Sequence, residues 1–308
     1  MTRLGVAVLA GWLCGCARPP DVGSASTRTC SSCHVEEAQA WAASAHAWGR
    51  DDPVYAVAVA EAFDRSWCDG CHLHDGASVG CTSCHVEAGS SAVLAVTATA
   101  EGRAAHPVTE RPHLGSEGCG TCHQIDVPSH QPGAPLGGPP LQDTLAEWRA
   151  SYDDRSCADC HMAEHGHRMP GPHDATFREE ALRVSVLSEG DDVVVTLHAS
   201  GVGHAAPTGD PFHRVEVRFG ADEDCTSDRP PLRFARLLVP DGRRMRVVHD
   251  VRVEPYGESR SLRIDWEELS DMSYWCARYV FADPRHEPSL APGDYSVSLG
   301  SGRLKRGG

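Results

Sequence analysis

Positive charge is in short supply in this 308-residue chain: 28 Lys and Arg face 43 Asp and Glu, a formal net charge of −15. So acidic a surface has no footprint for nucleic acid, which is excluded as a partner. Beyond the first fifteen residues no apolar run is long enough to span a bilayer as a helix. Between Thr29 and about Phe177 even short apolar runs are few, so that stretch cannot build an ordinary amphipathic core. Beyond Phe177 there is no Ser-His-Asp spacing and no metal-ligand cluster, so nothing in that half suggests catalysis.

What the chain has is cysteine and histidine, 14 and 18 respectively. Ten of the cysteines fall into one repeated pattern, Cys-x-x-Cys-His: Cys30–His34, Cys68–His72, Cys81–His85, Cys119–His123 and Cys157–His161. A lone Cys-x-x-Cys reads equally as half a zinc ribbon, a redox pair or a disulfide. Zinc ribbons use such pairs two at a time, a redox pair occurs once, and neither explains the invariable following His. The pattern is the attachment signature of c-type haem, with both thiols as thioethers and the His as proximal iron ligand. Five haem c groups are expected, held by Cys30, Cys33, Cys68, Cys71, Cys81, Cys84, Cys119, Cys122, Cys157 and Cys160. The proximal ligands are then His34, His72, His85, His123 and His161. The spacer 73–80 reaches at most about 30 Å when extended, so the second and third sites are near neighbours.

The start of the chain reads as an export signal. Arg3, an apolar run Leu4–Leu13 and small residues before a cysteine make a signal peptide over 1–15. Leu13-Cys14-Gly15-Cys16 looks like a bacterial lipobox, with Cys16 the acylated first residue of the mature chain. The alternative is ordinary cleavage and a soluble periplasmic protein. Ala17 stands where an inner-membrane-retention Asp would, which points to the outer membrane. Residues 16–28 read as a flexible tether. Export suits haem attachment, which occurs outside the cytoplasm. It also suits a disulfide between the two cysteines left over, Cys225 and Cys276.

Residues 29–176 are expected to form a mostly irregular and α-helical multihaem cytochrome c domain, with the macrocycles supplying its hydrophobic interior. Short helices are predicted over Val35–Trp48, Pro53–Phe63 and Asp143–Ala150, and a loop over Gln131–Pro140. From 177 to 308 the period changes to two, in Val193/Val195/Leu197, Val215/Val217/Phe219, Leu262/Ile264/Trp266 and Tyr295/Val297/Leu299. About eight short strands separated by turn signals predict an all-β sandwich, immunoglobulin-like in shape.

Cys30-Ser-Ser-Cys33-His34 followed by Gln39, Trp41, Ser44 and His46 resembles the start of the cytochrome c-554 family, as does Val79-Gly80-Cys81-Thr-Ser-Cys84-His85. A related pattern of larger multihaem proteins covers Gln142-Asp143-Thr144, Glu147-Trp148 and Ser151 before the fifth motif. It continues through Met162, His167-Arg-Met-Pro-Gly-Pro-His173-Asp and Gly203-His204-Ala-Ala-Pro207-Thr208-Gly209. Relative to that tetrahaem family this chain has a fifth haem and an added β domain.

The resemblance implies histidines as distal ligands. His46, about three helical turns beyond His34, cannot easily fold back on its own iron and is expected to reach a neighbour. His106 and His113 lie between the third and fourth motifs, where the family also places histidines. His167 and His173 fit the pattern after the fifth motif, and His204 is either a ligand delivered from the β domain or a turn residue. His74 and His130 are weaker candidates. His165, His198, His213, His249 and His286 read as ordinary surface or strand residues. Of the five sites, the one at Cys68–His72 has the least obvious distal donor nearby, and in the tetrahaem relative the second haem is five-coordinate.

The function so implied is electron transfer along a row of haems between redox-partner proteins, at a membrane through the lipid. The rival is a reductase acting on a small nitrogen or sulfur oxyanion. Against it, all five motifs end in His, and Cys-x-x-Cys-Lys is absent.

Overall fold

The computed structural model describes residues 26–62, 64–87, 90, 92–95, 106–126, 137–151, 153–242 and 244–306, apart from 111–113. The export signal, Cys16, most of the tether, His113, His130 and most of the loop expected at Gln131–Pro140 lie outside the described residues. Among the described residues no helix is long and apolar enough to cross a membrane.

The first half is a series of short helices: α1 (Thr27–Ser31), α2 (Val35–Ala42), α3 (Pro53–Glu61), α4 (Arg65–His72) and α5 (Cys81–His85). After a two-stranded parallel pair, β1 (Val93–Ala95) and β2 (Val108–Glu110), come α6 (Ser116–His123), α7 (Thr144–Ser151), α8 (Cys157–His161) and α9 (Ala175–Ala181). Side-chain caps fix several starts: Asp52 accepts from the Val54 amide, Asp64 from Ser66, and Asp174 from Phe177. Ser156 and Asp159 make a reciprocal capping box at α8. The helix predicted over Val35–Trp48 ends at Ala42, where the chain turns and Ser44 donates its hydroxyl to the Trp41 carbonyl.

The longer strands begin at Leu182. A three-stranded antiparallel sheet runs β3 (Leu182–Glu189), β4 (Asp192–Ala199), β9 (Ser259–Asp265); a four-stranded one orders β11 (Ser296–Arg303), β10 (Tyr274–Val280), β5 (Arg214–Gly220), β6 (Leu232–Phe234). A separate hairpin joins β7 (Arg236–Asp241) to β8 (Arg244–Asp250). The period-2 residues Val193, Val195 and Leu197 face Val215, Val217 and Phe219 across one core that includes Phe234, Ile264 and Tyr279. Each such fully buried side chain contributes about 2 kcal/mol. Cys225 and Cys276 are joined in a disulfide that ties the β5–β6 connection to β10. On the other face of β5, the buried Glu216 accepts from Arg214, Arg233 and Arg278 at 2.8–3.0 Å.

The two halves are unlike inside. Among the described residues before Leu182, only Tyr55, Leu94 and Leu145 are buried hydrophobic side chains. The described residues of the first half thus bury few hydrophobic side chains of their own.

Candidate haem centres

A Cys-x-x-Cys-His run on a helix puts residues i, i+3 and i+4 on one face. This is how α5 and α8 are built, and α4 and α6 end on the same pattern. The ten motif cysteines are free thiols, none of them fully buried. They lie near one another across motifs: Cys30 interacts with Cys81, Cys71 with Cys122, and Cys119 with Cys157. Cys84 in turn acts on Cys119 and is itself acted on by Cys122.

Two of these neighbourhoods share one set of hydrogen bonds. The amide of Cys81 donates to Thr27 Oγ1 at 3.1 Å, and the amide of Cys157 to Ser116 Oγ at 3.0 Å. Thr27 and Ser116 each stand three residues before the first cysteine of their own motif. Two residues ahead of Cys81, the Val79 carbonyl accepts from Trp41 Nε1 at 2.9 Å; two ahead of Cys157, the Arg155 carbonyl accepts from Trp148 Nε1 at 2.8 Å. In both copies a buried serine three residues after the tryptophan, Ser44 or Ser151, donates to that tryptophan's carbonyl. Gly80 makes the first joint close enough, since a Cβ there would overlap Thr27 and Asp75.

Four motif histidines each have a second imidazole opposite. Ring centroids are 6.2 Å apart for His34 and His106, 6.3 Å for His46 and His123, 6.0 Å for His85 and His167, and 6.4 Å for His161 and His204. Two metal–nitrogen bonds of about 2.0 Å, with about 1.2 Å more from each nitrogen to its ring centre, make about 6.4 Å. The pairs are thus spaced for one metal ion between them.

Their orientation agrees. Nδ1 of His85 lies 2.8 Å from the Leu94 carbonyl, that of His161 2.7 Å from Pro170 O, and that of His204 2.9 Å from Ala205 O. A carbonyl only accepts, so Nδ1 carries the proton and Nε2 is left for a metal. His123 differs: its Nδ1 faces the Gln142 side-chain Nε2 at 3.1 Å and accepts from it, the reverse polarity.

Two imidazoles do not make a metal cage. Among the described residues no three His, Cys, Asp or Glu side chains are arranged to hold a metal ion. The donor set therefore suits a group that brings its own equatorial ligands and is fastened by thiols, as haem is. Protein surrounds His123 closely enough for desolvation to lower its pKa to about 4, and desolvation lowers those of His72 and His173 as well.

His72 differs from the other four. Tyr55 lies flat against its ring, centroids 4.4 Å apart and 18° between planes, and donates its hydroxyl to Asp69. That separation is too short for a metal between the rings, so Tyr55 flanks His72 rather than facing it. His173, one of the expected distal donors, is stacked on Phe281 at 3.9 Å with Trp48 at its edge. Aromatic packing holds it in place, and it stands opposite none of the five motif histidines.

The β half closes the fifth pair. Glu147 on α7 accepts from Thr208 at 2.6 Å and from Arg252 at 2.6 Å, and Thr144 bonds Thr208 at 2.8 Å. The two sequence patterns around Trp148 and around His204 are thus clasped together, which sets His204 against His161. His213 was missed by sequence reasoning: half-buried just before β5, it has Nδ1 3.0 Å from the Thr208 carbonyl, the same arrangement as His85, His161 and His204. Nothing in its local sequence sets it apart.

No protein-family model matches the chain, and no curated protein does. In fold it is similar to a solved structure described as a penta-heme cytochrome c552 from Thermochromatium tepidum, with a TM-score of 0.67, 18% sequence identity, and coverage of 92% of this chain and 100% of that chain.

Proposed function

We propose that this chain is a multihaem c-type cytochrome that transfers electrons between redox-partner proteins through five covalently attached haems. The observation that carries this reading is the set of four imidazole pairs at 6.0–6.4 Å, each joining a motif histidine to one from elsewhere in the chain. The likeness in fold to a penta-haem cytochrome supports it. When bound, haem supplies a one-electron couple at each site. The ten motif cysteines hold it; His106, His46, His167 and His204 serve the first, fourth, third and fifth sites opposite His34, His123, His85 and His161. His72 faces no described imidazole, and His113, an expected distal donor, lies outside the described residues.

The thiol neighbourhoods suggest a branched route rather than a plain row. The first site adjoins the third through Cys30 and Cys81, and the third adjoins the fourth through Cys84. Both the second and the fifth adjoin the fourth, through Cys71–Cys122 and Cys119–Cys157. His123 is the junction. An immunoglobulin-like character for the β half is supported by its division of strands into a β3-β4-β9 sheet and a β11-β10-β5-β6 sheet. We also propose, from the sequence alone, a lipid anchor at Cys16 and a place at the bacterial outer membrane.

A pyridine haemochrome assay on protein washed with acid acetone tests the central claim. Five haems per chain are expected, and three or fewer would overturn it. Intact mass of the membrane-extracted protein should show acylation at Cys16; a Cys16→Ala protein that stays on membranes refutes the anchor.

A further inference from the structure

Helix α3 belongs to the first half, yet the β half braces it at both ends. Val54, in its first turn, packs against Val280, Ala282 and Tyr295, and against the main β core as well. At the other end Glu61 Oε2 lies 3.0 Å from Nε2 of His286, which is buried. Pro53 at the first position and the Asp52 cap fix where the helix starts.

Between the two braces stands Tyr55, which is buried. Its ring lies flat on the His72 imidazole, and its hydroxyl donates to Asp69. Asp69 and His72 stand three residues apart on α4 and so share a face. One side chain thus holds two points of the second motif. The chain just before α3 is close as well: a Cβ on Gly49 would come within 3.0 Å of the His72 carbonyl oxygen.

At His85 and His161 a backbone carbonyl accepts from Nδ1 and fixes the ring. A flat aromatic contact reaches the same end by another route, since turning the imidazole about its own stem would drive its edge into the phenol ring. It also keeps water from that flank. The orientation of an axial imidazole and the dryness of its surroundings are both means by which a protein sets a haem's spectrum and potential.

We propose that Tyr55 positions the proximal histidine of the second haem, and that the β half sets Tyr55 in turn through α3. This rests on the reading of Cys68–His72 as a haem site. The added half then acts at two sites by different means, supplying a ligand at the fifth and bracing a flanking ring at the second.

The test is electron paramagnetic resonance and redox titration of the intact, haem-loaded protein. Tyr55→Ala frees the His72 ring and admits water to its flank, so one of the five haem signals should broaden. The couple of that haem should move about tenfold toward the oxidised form, ~59 mV for one electron. Tyr55→Phe keeps the stack and loses only the bond to Asp69, so its signal should stay sharp. His286→Ala loosens the far end of α3 and should broaden the same signal, less than Tyr55→Ala does. Five attached haems and four unchanged signals show that a variant is folded. Should Tyr55→Ala fail that check, Tyr55→Leu, nearer in volume, takes its place with the same expected broadening.

Absence of haem from the peptide carrying Cys68 and Cys71, read by its mass, overturns the site reading and this inference with it. Haem on that peptide with an unchanged spectrum in Tyr55→Ala overturns the inference alone. So does a change in Tyr55→Phe as large as in Tyr55→Ala, because the hydroxyl rather than the ring would then be the anchor. Changes spread over several signals mean general loosening and overturn it too. An unaltered His286→Ala spectrum overturns the part given to the β half.

Discussion

The imidazoles of His161 and His204 lie parallel, 8° between planes and 6.4 Å between centres, although one ends a helix of the first half and the other sits in a turn of the β half. The β half is thus a structural partner of the fifth site, and the bonds between Glu147, Thr208 and Arg252 hold it there.

Replacing His204 with Ala should leave five haems attached but turn one of them high-spin and reactive to carbon monoxide. The measurement is the electronic spectrum of the reduced protein with and without the gas. A spectrum identical to wild type would remove His204 from the ligand set.

Arg252 and Glu147 are both almost fully buried, 10% and 7% exposed along their side chains. Arg252→Ala leaves the carboxylate with Thr208 as its remaining partner, and loss of one member of a buried pair costs about 3–5 kcal/mol. Thermal unfolding followed at the fifth haem should show its low-spin signal lost at lower temperature than the others. Arg252→Lys keeps the charge but not the guanidinium that bonds Glu147 and Asp250 at once, and should fall between.

Burial pushes the Glu216 carboxyl up, but hydrogen bonds and charge from Arg214 and Arg278 outweigh it and hold the pKa at about 2. A carboxylate depressed in the folded state stabilises it fully above its unfolded value of about 4.3. That contribution, about 3 kcal/mol, is lost as pH falls from about 4.3 through 2. Denaturant unfolding of the β half at pH 6 and pH 3 should show the decline, and Glu216→Gln should flatten it while lowering stability at pH 6.

The Cys225–Cys276 bridge closes a loop with a sequence separation of 51 residues. By loop entropy, Cys225→Ser with Cys276→Ser should cost up to about 4 kcal/mol. Equal denaturation midpoints with and without the bridge would mean that the β5–β6 connection is already held by other contacts.

The five Cys-x-x-Cys-His motifs stand out in the sequence because the covalent attachment proposed for them would demand an unbroken local pattern. The strands were legible too, since one buried face imposes the alternation of Val193, Val195 and Leu197. The proposed distal histidines are different: a partner that arrives from across the fold need obey no spacing. His167 stands six residues past His161 yet meets His85, and His46 passes its own motif to meet His123. His173 has the same local look as His167, and only the presence of Phe281 tells them apart. The hairpin β7–β8 and the helix Ala175–Ala181 across the change of period depend on packing between elements, which a periodicity cannot report.

The joint made by Trp41 and Val79, and again by Trp148 and Arg155, gives the molecule an internal standard. Trp41→Phe and Trp148→Phe delete the same bond in the same local setting, one on α2 and one on α7, whose Glu147 bonds the β half. Whatever the two variants share is the worth of the bond itself; whatever differs between them is the contribution of the neighbourhood. Few proteins allow that subtraction within a single chain.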